Sequence, residues 1–250
     1  MKYWVIILLC AAINSRCNAW GAVGHKITAQ IAYSKLNQST KDSLVKYLGE
    51  TSIQEASVWM DEVRSDHSFD YMKPWHYINI EKDAKYDPAS TDNIIWALNK
   101  VISELKDRQK LSKEQTTQDL KILIHLMGDL SQPLHVGYGI DKGGNSVKLL
   151  FLGKESNLHK AWDSEIIKEE HMTAETILQN MGSAREYNEH VEKIDLIAWM
   201  NASRSFIPIV YSFKDDAISD AYIKKATVFI GHQLALSGFR MAFVLEEIFK

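Results

Sequence analysis

The spacing of apolar residues predicts α-helices along most of the chain. In the clearest case apolar positions recur every three or four residues, as expected for a helix that buries one face: Ile94, Leu98, Val101, Ile102 and Leu105. Thr91 and Asp92 precede this pattern and are its candidate N-caps. A second, heavily apolar and therefore central helix is predicted from Leu120 to Leu130, and Pro133 ends it.

The segment from Ser219 to Phe249 predicts one long helix, or two helices broken near Gly231 and Gly238. Its length and apolar character raise the question of a membrane span. Polar and charged residues within it argue against one: Lys224, Lys225, His232, Gln233 and Arg240. We therefore expect this segment to pack inside the protein.

A short β-hairpin is the only departure from helix that the pattern predicts. The sequence from Asp141 to Asn145 is typical of a turn, and Ser146 to Leu152 suits a short strand. No linker, low-complexity tract or repeat divides the chain. The predicted fold class is therefore all-α, a single compact multi-helix domain over residues 20–250 with a short β-hairpin.

The first nineteen residues have the composition of a secretory signal peptide. Lys2 supplies a positive start, Trp4 to Ile13 is an apolar run too short to span a bilayer, and Asn14 to Ala19 ends in a small residue. Cleavage after Ala19 would leave Trp20 as the new N-terminus. We expect an exported protein, secreted or periplasmic, without a membrane anchor.

Removal of that segment changes both the thiol content and the charge. Cys10 and Cys17 lie within it, so the mature chain would have no disulfide and no thiolate metal ligand. Loss of Lys2 and Arg16 from the 29 basic residues leaves 27 against 32 acidic residues, a net charge of −5. This balance argues against a surface that coats duplex nucleic acid.

Five histidines and three aspartates have the chemistry of a cluster of zinc ions. Zinc takes imidazole nitrogen and carboxylate oxygen as ligands, and a catalytic zinc keeps one position open. In chain order the candidate ligands are His25, Asp61, His76, His125, Asp129, His135, His159 and Asp163, with Trp20 ahead of them. Because eight ligands are too many for one ion, we expect two or three metals.

Two of these histidines are followed by an aspartate four residues later. His125 and Asp129 lie on one face of the central predicted helix, and His159 and Asp163 repeat the spacing on another. One such pair alone is more typical of a capped or solvated pair, but two pairs with His135 between them favour a metal site. Four histidines without a matched carboxylate are interpreted as structural or solvated: His67, His171, His190 and His232.

Six short motifs follow one another between Trp20 and Asp163. They are Trp20-Gly-Ala-Val-Gly-His25, Trp59-x-Asp61-x-x-Arg64, His76-Tyr77-Ile78-Asn79, His125-x3-Asp129-x5-His135, Asp141-x-Gly-Gly-Asn145 and Asn157-Leu-His159-x-x-Trp162-Asp163. In this order they resemble the secreted three-zinc nucleases of the S1/P1 family. The resemblance implies a helical fold related to that of zinc phospholipase C.

The resemblance also implies three Zn²⁺ ions per chain. One would be held by Asp61, His76, His125 and Asp129, and a second by His135, His159 and Asp163. The third would be held by His25, by the free amine and carbonyl of Trp20, and by Asp129, which would bridge it to the first ion. An α-amine and its own carbonyl form a chelate that an internal residue cannot offer, so this role requires cleavage directly before Trp20. The alternative is that Trp20 merely follows the cleavage site.

Two residues receive catalytic roles from the same resemblance. Asp61 would orient the attacking water, and Arg64, one helical turn further on, would contact a nonbridging phosphate oxygen. The alternative for Arg64 is a surface ion pair with Glu62 or with Asp61 itself.

The predicted substrate-binding residues are Tyr77, Asn79, Gly143 and Asn145. Tyr77 would stack on an unpaired base, and Asn145, with the backbone at Gly143 and Gly144, would bond the edge of that base. Tyr77 and Asn79 stand where relatives carry phenylalanine and aspartate, so base preference stays open. The alternatives are a core aromatic residue for Tyr77 and a left-handed turn residue for Asn145.

These residues together predict a monomeric zinc-dependent phosphodiesterase. It would hydrolyse single-stranded DNA and RNA to 5′-phosphorylated products and act on 3′-nucleotides. A zinc phospholipase C is the first alternative, disfavoured by the short gap from Trp20 to His25 and by Asp163 where that family has glutamate. A non-catalytic zinc-binding exported protein is the second, disfavoured because a three-residue ligand set leaves coordination open.

Overall fold

The computed structural model describes residues 20–180, 192–214 and 216–250. The predicted signal peptide and His190 lie outside these described residues. Within them the chain forms α1 (Ala22–Lys35), α2 (Gln38–Leu48), α3 (Ile53–Ala56), α4 (Trp59–Glu62), α5 (Ile94–Lys106), α6 (Lys113–Ser131), α7 (Leu158–Lys160), α8 (Ile166–Glu169), α9 (Ala174–Asn180), α10 (Leu196–Arg204), α11 (Ile207–Val210) and α12 (Asp220–Phe249). Three 3₁₀ segments (Val63–Ser65, His67–His76 and Arg108–Lys110) and one π-helical turn (Ala161–Glu165) complete the helical structure.

One antiparallel hairpin is the sheet structure in this part of the chain. Strand β1 (Lys148–Phe151) pairs with β2 (Lys154–Asn157), and Leu152 and Gly153 form the turn with φ of 48° and 77°. The strand predicted from Ser146 to Leu152 is therefore confirmed, and its partner is the segment that follows it. The predicted all-α fold class with a short hairpin is also confirmed.

The C-terminal helix α12 is unbroken over 30 residues, which decides between the two predicted alternatives. Gly238 is a packing position: a Cβ there would lie 2.5 Å from Cγ2 of Ile31 on α1. The glycine therefore allows two helices to approach closely without ending either. Within the described residues α12 is the helix long and apolar enough to cross a membrane, but 61% of its most apolar window is buried inside the protein, as in a core helix.

Helix α5 begins at a different cap from the predicted one. The side chain of Asn93 accepts hydrogen bonds from the backbone N–H groups of Ile95 at 3.0 Å and Trp96 at 3.1 Å. Thr91 and Asp92 do not cap the helix, because Asp92 has φ 51° and turns the chain one residue before the cap Asn93. The predicted caps were therefore wrong by one or two positions.

Helix α6 is the central helix that carries two of the candidate ligands. A capping box formed by Ser112 and Gln115 starts it, so it extends seven residues before the predicted Leu120. His125 and Asp129 are both fully buried on it. The helix ends at Ser131, shortly before Pro133, as predicted.

Two apolar cores flank the candidate ligands. The first contains residues of α5, α6 and the C-terminal half of α12, such as Leu98, Leu123 and Leu245. The second contains Trp20, Trp162 and residues of the N-terminal half of α12. The ligand-bearing segments belong to both cores, so packing of the two cores brings the ligands together.

Removal of the α5 cap should destabilise the protein. We expect Asn93→Ala to lower the free energy of unfolding by about 1–2 kcal/mol, because two N–H groups of the first turn lose their acceptor. Thr91→Ala, two residues away, should change it by less than about 0.5 kcal/mol. Urea unfolding measures both values, and equal losses would contradict the assignment of Asn93 as the cap.

Stability should also depend on the ionisation of Asp119, which lies on α6 facing α5. Burial and repulsion from Glu104 raise the pKa of Asp119 from 3.8 to about 6, although Lys100 opposes this shift. A raised carboxyl pKa contributes stability that is present below pH 3.8 and lost as the pH rises through about 6.

Asp119→Asn should therefore raise the free energy of unfolding by about 1 kcal/mol near pH 7.5, after allowance for solvent screening, and by almost nothing near pH 3.5. Urea unfolding at the two pH values tests this. A gain that is the same at both would show that charge is not its cause.

Candidate metal centre

The fold brings all eight predicted side-chain ligands into one region. His25 lies on α1, Asp61 on α4 and His76 at the end of the long 3₁₀ segment. The other ligands come from α6, from the loop that follows it and from the helical segment after the hairpin: His125, Asp129, His135, His159 and Asp163. All are buried except Asp61, which lies half-buried at the rim.

Asp129 lies at the centre of this region. One carboxylate oxygen, Oδ2, is 3.0 Å from Nδ1 of His76 and 3.3 Å from Nε2 of His125. The other oxygen, Oδ1, is 3.2 Å from Nε2 of His25. The two oxygens therefore face two different sets of imidazole nitrogens.

A second cluster is formed by His135, His159 and Asp163. Oδ2 of Asp163 is 2.9 Å from Nε2 of His159, and Oδ1 is 3.9 Å from Nε2 of His135. Asp163 belongs to the π-helical turn between α7 and α8, which replaces the regular helix that the sequence predicted. The four-residue spacing still places His159 and Asp163 on one face.

Three groups of ligand atoms have a spacing suited to a metal ion. Within each group the atoms lie within 4.8 Å of one another, and the groups are His25/His125/Asp129, Asp61/His76/His125 and His135/His159/Asp163. His125 belongs to two groups because its ring stacks on His25, with centroids 4.0 Å apart, while its Nε2 is 3.0 Å from Nδ1 of His76. The chain thus has three His/Asp clusters able to bind metal.

Backbone carbonyls hold the outer nitrogens of three ligands. Nδ1 of His125 donates to Ser57 O at 2.7 Å, and Nδ1 of His135 donates to His76 O at 2.8 Å. Nδ1 of His159 donates to Gly143 O at 2.6 Å. Since a carbonyl can only accept, each Nδ1 must carry the proton. Each Nε2 then faces the cluster and, in the neutral ring, is the nitrogen whose lone pair can bind a metal.

Unpaired buried atoms show that the cluster fits a cation. Nε2 of His25, Nε2 of His135 and Oδ1 of Asp129 are buried without a hydrogen-bond partner among the described residues. His25 Nε2 and Asp129 Oδ1 approach to 3.2 Å, but their geometry is not that of a hydrogen bond. Buried polar atoms without partners are costly, and a metal between them would satisfy them.

The charges of the cluster also suit a cation. Burial lowers the pKa of His76 to about 4 and keeps it neutral. At His135 burial also lowers the pKa, but the carboxylates of Asp129 and Asp163 outweigh it and raise the pKa to about 9. Burial raises the pKa of Asp163, yet His159 and His135 lower it to about 2. The carboxylates are therefore ionised in a buried site that attracts positive charge.

A family model described as S1/P1 Nuclease matches residues 20–250. The chain belongs to the S1/P1 nuclease family. It is 28% identical to Endonuclease 2 of Arabidopsis thaliana over 287 residues, which cover 100% of this chain and 96% of that protein. It is 27% identical to Nuclease P1 of Penicillium citrinum over 237 residues, covering 86% of this chain and 84% of that nuclease.

Two further matches cover less of the matched proteins. Nuclease S1 of Aspergillus oryzae is 28% identical over 161 residues, which cover 60% of this chain and 55% of that nuclease. Among solved structures, the alpha-toxin of Clostridium perfringens matches with a TM-score of 0.48 and 16% identity, covering 92% of this chain and 64% of the toxin. The chain therefore spans less than two thirds of the length of that toxin.

In this S1/P1 nuclease, Trp20 lies at the edge of the cluster. Its side chain is fully buried, and its indole Nε1 donates to Ser131 Oγ at 3.4 Å. The next residue, Gly21, donates its backbone N–H to Asp163 O at 2.8 Å. The start of the described chain is therefore tied to the second cluster, whereas the metal-binding role of the Trp20 amine and carbonyl stays a prediction.

Arg64 forms the ion pair that the sequence analysis gave as an alternative. Its Nη1 is 3.3 Å from Oδ1 of Asp61, and its side chain is 29% exposed. This contact places a guanidinium beside a candidate ligand at the solvent edge of the site. A contact with phosphate stays a prediction, and the ion pair is compatible with it.

Tyr77 and Asn79 both face solvent beside the ligand His76. They alternate with Ile78 and Ile80, which are buried, so the extended segment presents its odd-numbered residues outward. Tyr77 is 43% exposed, so the alternative of a core aromatic residue is wrong.

The backbone of Gly143 is hydrogen-bonded within the protein. Its N–H donates to Tyr138 O at 2.8 Å, and its carbonyl accepts from Nδ1 of His159 and so helps to position that ligand. Contact between Gly143 and a substrate stays a prediction. Asn145 is half-buried and donates from Nδ2 to Lys142 O at 2.9 Å. The left-handed conformation falls on Lys142, with φ 57°, and not on Asn145.

The other histidines belong to none of the three ligand groups found in the described ranges. His67 is exposed and pairs with Asp70 at 3.2 Å, and His171 is exposed with φ 47°. His232 lies beside the ring of Phe206, with centroids 5.8 Å apart. These placements agree with a structural or solvated role.

Arg204 on α10, which was not among the predicted site residues, supports two segments that carry ligands. Its guanidinium donates to Val136 O and, at 2.8 Å, to Ile80 O. The same two segments pair with each other, since Ile78 N donates to His135 O at 2.8 Å and Ile80 N to Gly137 O at 3.0 Å. Nothing in the sequence marks an arginine whose partners are backbone carbonyls from distant segments.

Loss of this guanidinium should loosen the paired segments. We expect Arg204→Met to speed amide hydrogen exchange at Ile78 and Ile80 by at least about tenfold, because a charged hydrogen bond contributes about 1.5–3 kcal/mol. Arg108→Met is the matched control, since Arg108 donates to Ile248 O at 2.6 Å outside the candidate centre. Unchanged exchange in the Arg204 variant would show that the segments hold together without it.

Proposed function

We propose that this family member is a zinc-dependent phosphodiesterase that hydrolyses single-stranded DNA and RNA to 5′-phosphorylated products and also acts on 3′-nucleotides. The observation that carries the proposal is the position of Asp129, whose two oxygens face different imidazole sets. A carboxylate in this position can bridge two metals. Paired metals suit phosphodiester hydrolysis, which needs an activated water and a clamp on the phosphate.

The donor chemistry supports zinc, with three Zn²⁺ ions per chain. Imidazole nitrogen and carboxylate oxygen are zinc ligands, and the three-residue set His135/His159/Asp163 leaves room for a further ligand. We assign Asp61, His76, His125 and Asp129 to one ion, His135, His159 and Asp163 to a second, and His25, Asp129 and Trp20 to the third. His125 goes to the first set because its Nε2 is 3.0 Å from Nδ1 of His76.

When bound, zinc lowers the pKa of water toward neutrality and neutralises charge on the phosphoryl oxygens. Two side chains at the edge of the site, Asp61 and Arg64, act on the water and on the phosphate. Asp61 accepts a hydrogen bond from the attacking water and orients it. Arg64 lies beside Asp61 and donates to a nonbridging phosphate oxygen, for which its fork of N–H groups is suited.

Preference for single strands follows from how a base would be held. Tyr77 is exposed next to a ligand and offers its ring to one unpaired base, without reading its identity. Asn79 projects on the same face, and Asn145 lies at the loop that supports His159, so both can bond the edge of that base. A base paired in a duplex cannot stack in this way.

Export is part of the proposal. Signal cleavage directly before Trp20 would free its amine as a ligand and deliver a monomer to the periplasm or the medium. The burial of Trp20 and the bond from Gly21 N to Asp163 O support this assignment, because they bring the start of the described chain to the centre. A chain that keeps residues before Trp20 would lack that ligand.

The direct test uses protein purified with Trp20 as its first residue. Hydrolysis of single-stranded DNA, RNA and phosphatidylcholine is measured before chelation, after chelation and after zinc is restored. Zinc-dependent release of 5′-mononucleotides is the expected result. Cleavage of the lipid alone would replace the proposal with a phospholipase C, and metal binding without any turnover would replace it with a binding protein.

The division of roles predicts different losses for two variants. Asp129→Asn should lower kcat/KM by about three orders of magnitude, because it disturbs two metals at once. Tyr77→Ala should raise KM about tenfold and leave kcat within about threefold, because base stacking contributes about 1–3 kcal/mol.

Tyr33→Ala is the control, since Tyr33 is also exposed (39%) but lies near the end of α1. Steady-state kinetics on a single-stranded oligonucleotide measure all three variants. Equal losses in Asp129→Asn and Tyr77→Ala would contradict the separation of metal binding from base binding.

A further inference from the structure

Gln132 follows α6 and touches three candidate ligands without being one. It is fully buried. Its backbone N–H donates to Asp129 O at 3.0 Å, and its carbonyl accepts from His135 N at 3.0 Å. A polar side chain buried at this point needs hydrogen bonds of its own.

The two ends of the Gln132 amide have distinct partners. The backbone N–H of Leu134 donates to its Oε1 at 2.5 Å, which identifies that end as the oxygen. The opposite end is therefore the N–H₂ group, and it donates to Oδ1 of Asp163. The orientation of the amide follows from its neighbours, because the Leu134 N–H can only donate and the ionised carboxylate can only accept.

This hydrogen bond determines which oxygen of Asp163 faces His159. With Oδ1 engaged by Gln132, Oδ2 lies 2.9 Å from Nε2 of His159. We propose that Gln132 is a positioning residue that fixes the Asp163 carboxylate and thereby sets the metal affinity of the His135/His159/Asp163 cluster. The inference rests on the proposed function, in which this cluster binds zinc.

The geometry agrees with how metal sites are supported elsewhere in proteins. Ligating carboxylates are commonly held by a hydrogen bond from a residue that does not touch the metal, and loss of such a bond weakens metal binding by about 10- to 100-fold. Gln132 also connects the clusters, because the same residue bonds to Asp129 through its backbone and to Asp163 through its side chain.

Gln233 on α12 provides a matched control. It is also a buried glutamine, and it donates to Ser131 O at 2.6 Å and to Ser203 Oγ at 3.1 Å. It thus lies at the same end of α6 but bonds to no candidate ligand. If the role of Gln132 were only structural, replacement of either glutamine would have the same effect on metal binding.

The test compares Gln132→Met and Gln233→Met in the full mature chain. Methionine keeps the approximate length of the glutamine side chain and removes its N–H donors. Zinc affinity is measured by competition with a chelator, and the coordination of one ion is followed by the visible absorption spectrum of the Co²⁺-loaded protein.

We expect Gln132→Met to release one metal equivalent about 10- to 100-fold more readily than the unmodified protein and to change the part of the Co²⁺ spectrum that this ion contributes. Gln233→Met should lower the melting temperature but leave both metal readouts unchanged.

Unchanged affinity and spectrum in Gln132→Met, or equal changes in the two variants, would overturn the inference while leaving the proposed function intact. An unmodified protein that binds no metal would overturn both.

Discussion

The buried carboxylate of Asp129 is the constraint on which the centre depends. It is fully buried on the central helix, and the burial of an unpaired ion costs several kcal/mol. The structure therefore surrounds it with imidazoles from α1, from the 3₁₀ segment before Tyr77 and from α6 itself. Packing of the two apolar cores brings these segments together, so the fold and the metal centre form as one arrangement.

The parts of this arrangement that depend on helical periodicity could be predicted from the sequence. The four-residue spacing of His125 and Asp129 needs only a helix to place both on one face, and α6 provides it. The start of α5 was less predictable, because Thr91, Asp92 and Asn93 are all good caps in sequence. Their choice depends on backbone conformation, and Asp92 takes the positive φ. The π-helical turn at Asp163 has no residue signature that distinguishes it from regular helix.

The supporting residues were not predictable, because their partners come from distant segments. Arg204 and Gln132 each bond to groups far away along the chain, and a single arginine or glutamine has no pattern that indicates this. Gly143 shows the same limit. Its place in a glycine-rich turn predicts contact with substrate, which stays a prediction, but nothing in the turn indicates that its carbonyl accepts a hydrogen bond from His159. The turn was predicted correctly, but its role depends on what packs beneath it.

In the proposed centre, Asp129 lies between two metals. Anomalous diffraction at the zinc absorption edge, from crystals of the chain beginning at Trp20, tests it most directly. We expect a zinc peak beside each oxygen of Asp129 and a third peak among His135, His159 and Asp163. A single peak at Asp129, or none, would contradict the bridging role and the chemistry built on it.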